Sequence, residues 1–191
     1  LLEGAGVARD EARARGLYEK ACAAGYARGC AALGYVLQRG LGGKKDVGSA
    51  AAHFAKACEG GSAWGCVLHG SALGSGTGVK QNLGAARAQF VKGCKGGYPA
   101  GCTLAGQMTE NGHGGAKSDK DAAALYAKAC QGGEPRGCGL LGVLTEAGRG
   151  TGKPNPAGAA KLYKAACDAG DLSSCSRQGM LCVKGLGGPI D

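Results

Sequence analysis

SDKDAAALYAKACQGGEPRGC, residues 118–138, is the stretch whose reading decides the fold. Ser118 can cap a helix by accepting a free backbone N–H of the first turn. Ala122, Tyr126 and Cys130 follow at i, i+4 and i+8, so they share one helical face. Gly133, three residues past Cys130, suits the left-handed conformation that ends a helix. Pro135 suits the start of the next helix, where a missing N–H does no harm. Cys138 then falls in the first turn of that second helix. The stretch spells a helical hairpin with one cysteine on each arm.

The same pattern recurs along the chain. Five C-x7-C pairs, Cys22/Cys30, Cys58/Cys66, Cys94/Cys102, Cys130/Cys138 and Cys167/Cys175, advance in steps of 36 residues with one step of 37. Twelve residues before the first cysteine of each pair stand Asp10, Asp46, Asn82, Ser118 and Asn155, all strong N-cap types. Ala14, Ala50, Ala86, Ala122 and Ala159 come eight before it, and Tyr18, Phe54, Phe90, Tyr126 and Tyr163 four before it. The second helix carries a glycine four residues past its cysteine: Gly34, Gly70, Gly106, Gly142 and Gly179. These glycines are read as points of close backbone approach between crossing helices. Each second helix is expected to stop near Gly40, Gly76, Gly112, Gly148 or Gly185.

A fixed period of this length means a repeat array. The expected fold is all-α, an α-solenoid of about five antiparallel helical hairpins of 36 residues, one array over residues 1–191. The repeats are placed at 10–45, 46–81, 82–117, 118–154 and 155–190, with a partial preceding repeat at 1–9. Leu1 is in register with Leu37, and Asp191 with Asp46. The chain is therefore read as a window from a longer array. The alternative is open ends that stack head to tail on copies of the chain.

Composition narrows the class. Glycine contributes 40 of 191 residues without a three-residue period, which excludes collagen. Hydrophobic residues at 44% exclude a disordered chain. Much of that apolar content is alanine, so each element buries modest area. No apolar run approaches the ~18 residues of a membrane span. The net charge of +9 is read first as a soluble, like-charged surface. Aromatics do not interleave with the basic residues, which argues against nucleic acid.

The C-x7-C spacing covers the last turn of one helix, the connection, and the first turn of the next, so the side chains face each other across the hairpin. A disulfide in each pair is the expected reading, worth about 2.5 kcal/mol per bridge in the loop-entropy model. Zinc is an alternative, although it favours C-x2-4-C spacing with a second pair nearby. Free buried thiols are another. Disulfides imply an oxidising place: the periplasm or cell exterior, or alternatively the mitochondrial intermembrane space. Cys182 is in register with Leu37, Leu73, Thr109 and Thr145. It is read as a buried free thiol, or as one that pairs outside this segment or with another chain.

Units such as DVGSAAAHFAKACEGGSAWGC and DKDAAALYAKACQGGEPRGC resemble Sel1-like repeats, relatives of the tetratricopeptide repeat, in their cysteine-rich Hcp-like branch. The resemblance rests on YEKAC, FAKAC, FVKGC and YAKAC and covers essentially the whole chain. The fifth unit departs from it, with LYKAAC shifting the lysine and Ser174 replacing the glycine before the second cysteine. The resemblance implies an adaptor in protein complexes. Some cysteine-rich members carry a β-lactamase-like or penicillin-binding label, but S-x-x-K, S-D-N and K-T-G are all absent here.

Candidate sites follow from shared registers. Lys20, Lys56, Lys92 and Lys128 hold one position in four successive units. They form either a strip for acidic side chains or a peptide carboxylate, or simply C-terminal helix cations favoured by the macrodipole. Trp64 shares a register with Arg28, Ala100, Arg136 and Ser173 and is a candidate contact residue. His53, His69 and His113 are scattered and read as exposed structural residues. GTGVK at 76–80 lacks the P-loop frame. No catalytic residue, cofactor or metal is expected. The predicted function is a non-enzymatic scaffold that binds a protein or peptide, acidic in one reading, on the concave face. The alternative is a structural subunit of an extended assembly by end-to-end self-association.

Overall fold

The structure, a computed structural model, describes residues 10–150 and 152–187. The partial repeat expected at 1–9 and the registers of Leu1 and Asp191 lie outside the described residues. The chain divides into two compact units, Leu1–Gly96 and Gly97–Asp191. The first holds α1 (Glu11–Ala23), α2 (Ala27–Arg39), α3 (Val47–Glu59), α4 (Ala63–Ser75) and α5 (Leu83–Lys95). The second holds α6 (Pro99–Asn111), α7 (Asp119–Gln131), α8 (Pro135–Ala147), α9 (Pro156–Asp168) and α10 (Leu172–Val183). The described residues contain only helices and their connections, and the fold is the expected α-solenoid.

Local chemistry starts and stops these helices. Asp10, Asp46, Asn82, Ser118 and Asn155 each accept, through the side chain, the N–H three residues on. The cap residue also ties its helix to the preceding one. The N–H of Asp46, Asn82, Ser118 and Asn155 donates to the carbonyl of Leu37, Leu73, Thr109 and Thr145, respectively, at 2.9–3.1 Å. These carbonyls are among the last of a second helix, which lack an intrahelical partner. Termination falls to glycine: Gly61, at φ +89°, follows α3 in a conformation other residues rarely adopt.

Packing between repeats is more extensive than packing within them. In the first unit α2 lies more fully on α3 than on α1, and α4 more fully on α5 than on α3. In the second unit α6 and α7 pair closely, as do α8 and α9. The aromatic of each first helix explains this. Phe54 and Tyr126 are 1% and 0% exposed, and each ring packs against a glycine of the preceding second helix. A Cβ on Gly34 would stand 2.6 Å from the Phe54 ring, and one on Gly106 2.5 Å from the Tyr126 ring. Gly70 receives Phe90 and Gly142 receives Tyr163 in the same way. Burying such a ring contributes about 2–3 kcal/mol, and only a bare backbone leaves room for it.

The expected close backbone approach is present at two of these glycines, where a Cβ would also stand 2.9 Å from Ala50 O (Gly34) or 3.1 Å from Ala86 O (Gly70), and the structure adds that each of the four is a bed for a ring. A different set, just before the second cysteine, lets the two helices of a hairpin meet. A Cβ on Gly29, Gly65 or Gly137 would stand 2.5–2.6 Å from the Cβ of Ala21, Ala57 or Ala129. The disulfides lie at this contact. Cys22–Cys30, Cys58–Cys66, Cys130–Cys138 and Cys167–Cys175 have Cα atoms 4.3–4.7 Å apart. Cys94 and Cys102 are also in disulfide form. The bridges thus reinforce the sparser of the two helix interfaces.

Candidate functional site

The first helices expose what their alanine–aromatic–cysteine stripe does not bury. Lys20, Lys56 and Lys92 lie in the last turns of α1, α3 and α5 of the first unit. Lys128 holds the same position on α7 in the second. All four are exposed and make no ion pair among the described residues. In the fifth repeat the shifted Lys164 is tied instead to Asp168 at 2.8 Å. The place at the end of a helix favours a cation by itself.

Between α1 and α3 the surface opens into a cleft of about 400 Å³. Leu33 and Leu37 of α2 contribute its apolar lining, and Cys22 of α1 also borders it. His53 of α3 lines the cleft with Nδ1 3.6 Å from Cys22 Sγ. Gln89 occupies the same register on α5, its carboxamide 3.0 Å from Cys58 Sγ. These sulfurs are bridged and carry no proton, so Cys22 Sγ can only accept, from the imidazole Nδ1–H, whereas Gln89 meets Cys58 Sγ through Oε1 in a contact that shares no proton.

The histidines therefore differ from the expectation of exposed residues. His53 and His69 are half-buried, and only His113 is exposed. Burial pushes the His53 pKa below the usual imidazole value; Lys56 adds to this, while Glu19 and Asp46 oppose it. Burial lowers His69 likewise, opposed by Glu59. The sequence signal for the His53 contact was its spacing of 31 from Cys22, repeated by Gln89 and Cys58, which no hairpin-by-hairpin reading exposes.

Trp64 is half-buried and 6.4 Å from the Tyr35 ring, so it covers the neighbouring repeat as well as facing solvent. With Leu17, Tyr18 and Tyr26 it lines a shallow apolar groove of about 420 Å³. Tyr26, 60% exposed, is the side chain of this groove that sequence reasoning passed over. Cys182 is corrected from the expected buried thiol: it is free and exposed on α10. Its register mates Leu37, Leu73 and Thr109 are buried where the next first helix packs on them, and α10 is the final described helix.

A polar network in the second unit was also missed. The Tyr126 hydroxyl donates to Glu110 and the Tyr163 hydroxyl to Glu146, each at 2.8 Å. Arg149 bridges Glu110 at 3.0 Å and Asp119 at 2.8 Å.

A family model for the Sel1 repeat matches residues 1–26, 27–62, 65–98, 99–134 and 135–171. The chain belongs to the Sel1 repeat family. Four of the matched segments, 27–62, 65–98, 99–134 and 135–171, each join a second helix, or nearly all of it, to the first helix that follows. These are the closely packed pairs in which a glycine holds the next ring. Among solved structures, the chain is similar to a Sel1 repeat protein from Oxalobacter formigenes. That match has 29% identity and a TM-score of 0.90, covering 98% of this chain and 76% of that one. It is similar to c5321, a protective antigen of uropathogenic Escherichia coli strains with an SLR fold, at 27% identity and a TM-score of 0.89, over 100% of this chain and 40% of that one. Helicobacter pylori cysteine-rich protein B matches at 30% identity and a TM-score of 0.55, over 70% of this chain and 95% of its own. A search of curated proteins finds no match. Sel1 repeats typically serve protein–protein interaction. No described helix is long and apolar enough to cross a membrane.

Proposed function

We propose that this Sel1 repeat chain is a non-enzymatic scaffold of an oxidising, extracytoplasmic compartment that binds a protein or peptide along its first-helix face. The observation that carries the reading is the unpaired lysine at one position of successive first helices, Lys20, Lys56 and Lys92, beside an open cleft in the same unit. A partner with acidic side chains gains three charge-assisted contacts from a surface whose own carboxylates leave those lysines free. The compartment follows from the bridges, which persist where thiols are not kept reduced.

The test is selection from a random peptide library on the oxidised protein, repeated with Lys20, Lys56, Lys92 and Lys128 all changed to Gln. Selected peptides are expected to be enriched in Asp and Glu, to weaken with added salt, and to lose affinity for the variant. Equal binding by the variant sinks the reading.

A further inference from the structure

The cleft between α1 and α3 has an uneven charge account. Its two carboxylates are committed: Glu19 accepts from Arg15 Nε at 3.1 Å, and Asp46 accepts from the Ser49 N–H at 2.9 Å and its hydroxyl at 2.7 Å. Its remaining cationic groups are not. Lys56 is exposed and makes no ion pair among the described residues. His53 has Nδ1 against the Cys22 sulfur, which leaves Nε2 as the ring nitrogen for a ligand. The charged groups around His53 are Arg15 and Glu19 from α1, and Lys56 and the cap Asp46 from α3; α2 contributes only Leu33 and Leu37.

We propose that this cleft is a carboxylate subsite, in which His53 and Lys56 together receive a glutamate or aspartate side chain of the bound peptide. The inference rests on the scaffold reading above and names what one part of that surface takes. Lys56 supplies a permanent charge. His53 becomes a second charged donor once it takes a proton, since both ring nitrogens of an imidazolium carry N–H. The methylene groups of the guest lie on Leu33 and Leu37. Burial keeps His53 neutral in the empty cleft at neutral pH, and an entering carboxylate favours its protonated form. Capture is therefore coupled to proton uptake and tightens as pH falls through the histidine range. In the next repeat Gln89 keeps the contact to the bridged sulfur but has no proton to gain, so the proton-coupled subsite belongs to the α1–α3 cleft.

The experiment is fluorescence anisotropy of the oxidised protein with a labelled octapeptide of alternating glutamate and serine, at pH 5.0 and 7.5. An alternating glutamine–serine peptide serves as the control. Binding of the acidic peptide is expected to be about three- to tenfold tighter at pH 5.0, the range of a partly screened charge-assisted hydrogen bond. Protonation of the peptide itself works in the opposite direction. His53→Gln, a residue that the fold already holds at Gln89, should lose the pH dependence, binding the acidic peptide no more tightly at pH 5.0 than at pH 7.5. Lys56→Gln should weaken binding at both pH values. Acidic-peptide binding without pH dependence, or pH dependence that survives in a folded H53Q protein, overturns the subsite and leaves the scaffold reading standing. No binding of the acidic peptide at either pH overturns both.

Discussion

Tyr126 reaches across the seam between two repeats to donate its hydroxyl to Glu110, 2.8 Å away, while its ring lies on Gly106. One side chain thus meets a bare backbone with its ring and a carboxylate with its tip. Tyr163 repeats the arrangement with Gly142 and Glu146. In the first unit the equivalent aromatics are Phe54 and Phe90, and the equivalent partners are Gln38 and Gly74. At these four seams the phenol is present where the preceding helix offers a carboxylate and absent where it does not.

Gly106→Ala should destabilise the protein although alanine is the better helix former by about 1 kcal/mol. Its Cβ would sit 2.5 Å from the Tyr126 ring, and overpacking of this kind costs about 1–3 kcal/mol. Gly179→Ala, which meets nothing within 4 Å, should stabilise α10 instead. Urea denaturation of the two variants distinguishes a ring bed from ordinary helix glycine, and equal shifts would refute the assignment.

Tyr126 and Tyr163 both have pKa values pushed well above the usual phenol value, first by burial and then by their carboxylate partners. Raised folded pKa values mean that the unfolded chain releases these protons first. The stability they contribute is present below about pH 10 and is lost as pH rises beyond it. The Tyr126→Phe/Tyr163→Phe double variant should flatten the alkaline limb of a denaturation-midpoint profile. An unchanged limb would show that the hydroxyls are not coupled to folding.

Asp119 titrates in the other direction. The Arg149 guanidinium holds its carboxyl below the usual carboxylate range. A lowered folded pKa gives stability that is present above about pH 4 and lost as pH falls. Asp119→Asn should weaken the protein at neutral pH and reduce the further loss on acidification, read from urea midpoints between pH 3 and 6. A parallel displacement of the whole profile would mean the ion pair contributes nothing.

Alkylation of the unreduced, native protein should modify one cysteine, Cys182, since the other ten are bridged. Replacing Cys58 and Cys66 together by serine should cost about 2–4 kcal/mol. Mass spectrometry after labelling gives the first result and chemical denaturation the second. Several labelled cysteines would remove both the staples and the argument for an oxidising compartment.

Asn82→Ala should cost about 1 kcal/mol by freeing the Ala85 N–H, whereas Asn82→Asp should be near neutral. Thermal midpoints test this pair. Equal loss in both variants would shift the role of residue 82 from capping to packing.

Much of the fold was legible because its determinants are short-range. Cap, alanine, aromatic, cysteine and terminating glycine all fall within sixteen residues of Asp10, and each acts on its own helix or the adjoining connection. The candidate site was legible only in outline. Lys20, Lys56 and Lys92 could be aligned by period, but the cleft beside Lys56 could not, because it depends on how α3 lies over α1 and α2. His53 looked isolated because its contact, Cys22, is 31 residues away on another helix. The second-helix glycines showed that something comes close without showing what does.

By itself the sequence determined the period, the hairpin and its caps, and the facing cysteines, since each rests on backbone chemistry within one or two turns of helix. Only the tertiary structure decided that a ring from the next repeat fills each of four glycine beds, at Gly34, Gly70, Gly106 and Gly142, and that Glu110 answers Tyr126. It also decided that Arg149 joins Glu110 to Asp119, and that His53 faces a bridged sulfur inside a cleft. These are contacts between helices, and their partners are chosen by the register and tilt at which one repeat packs on the next, which no single repeat encodes.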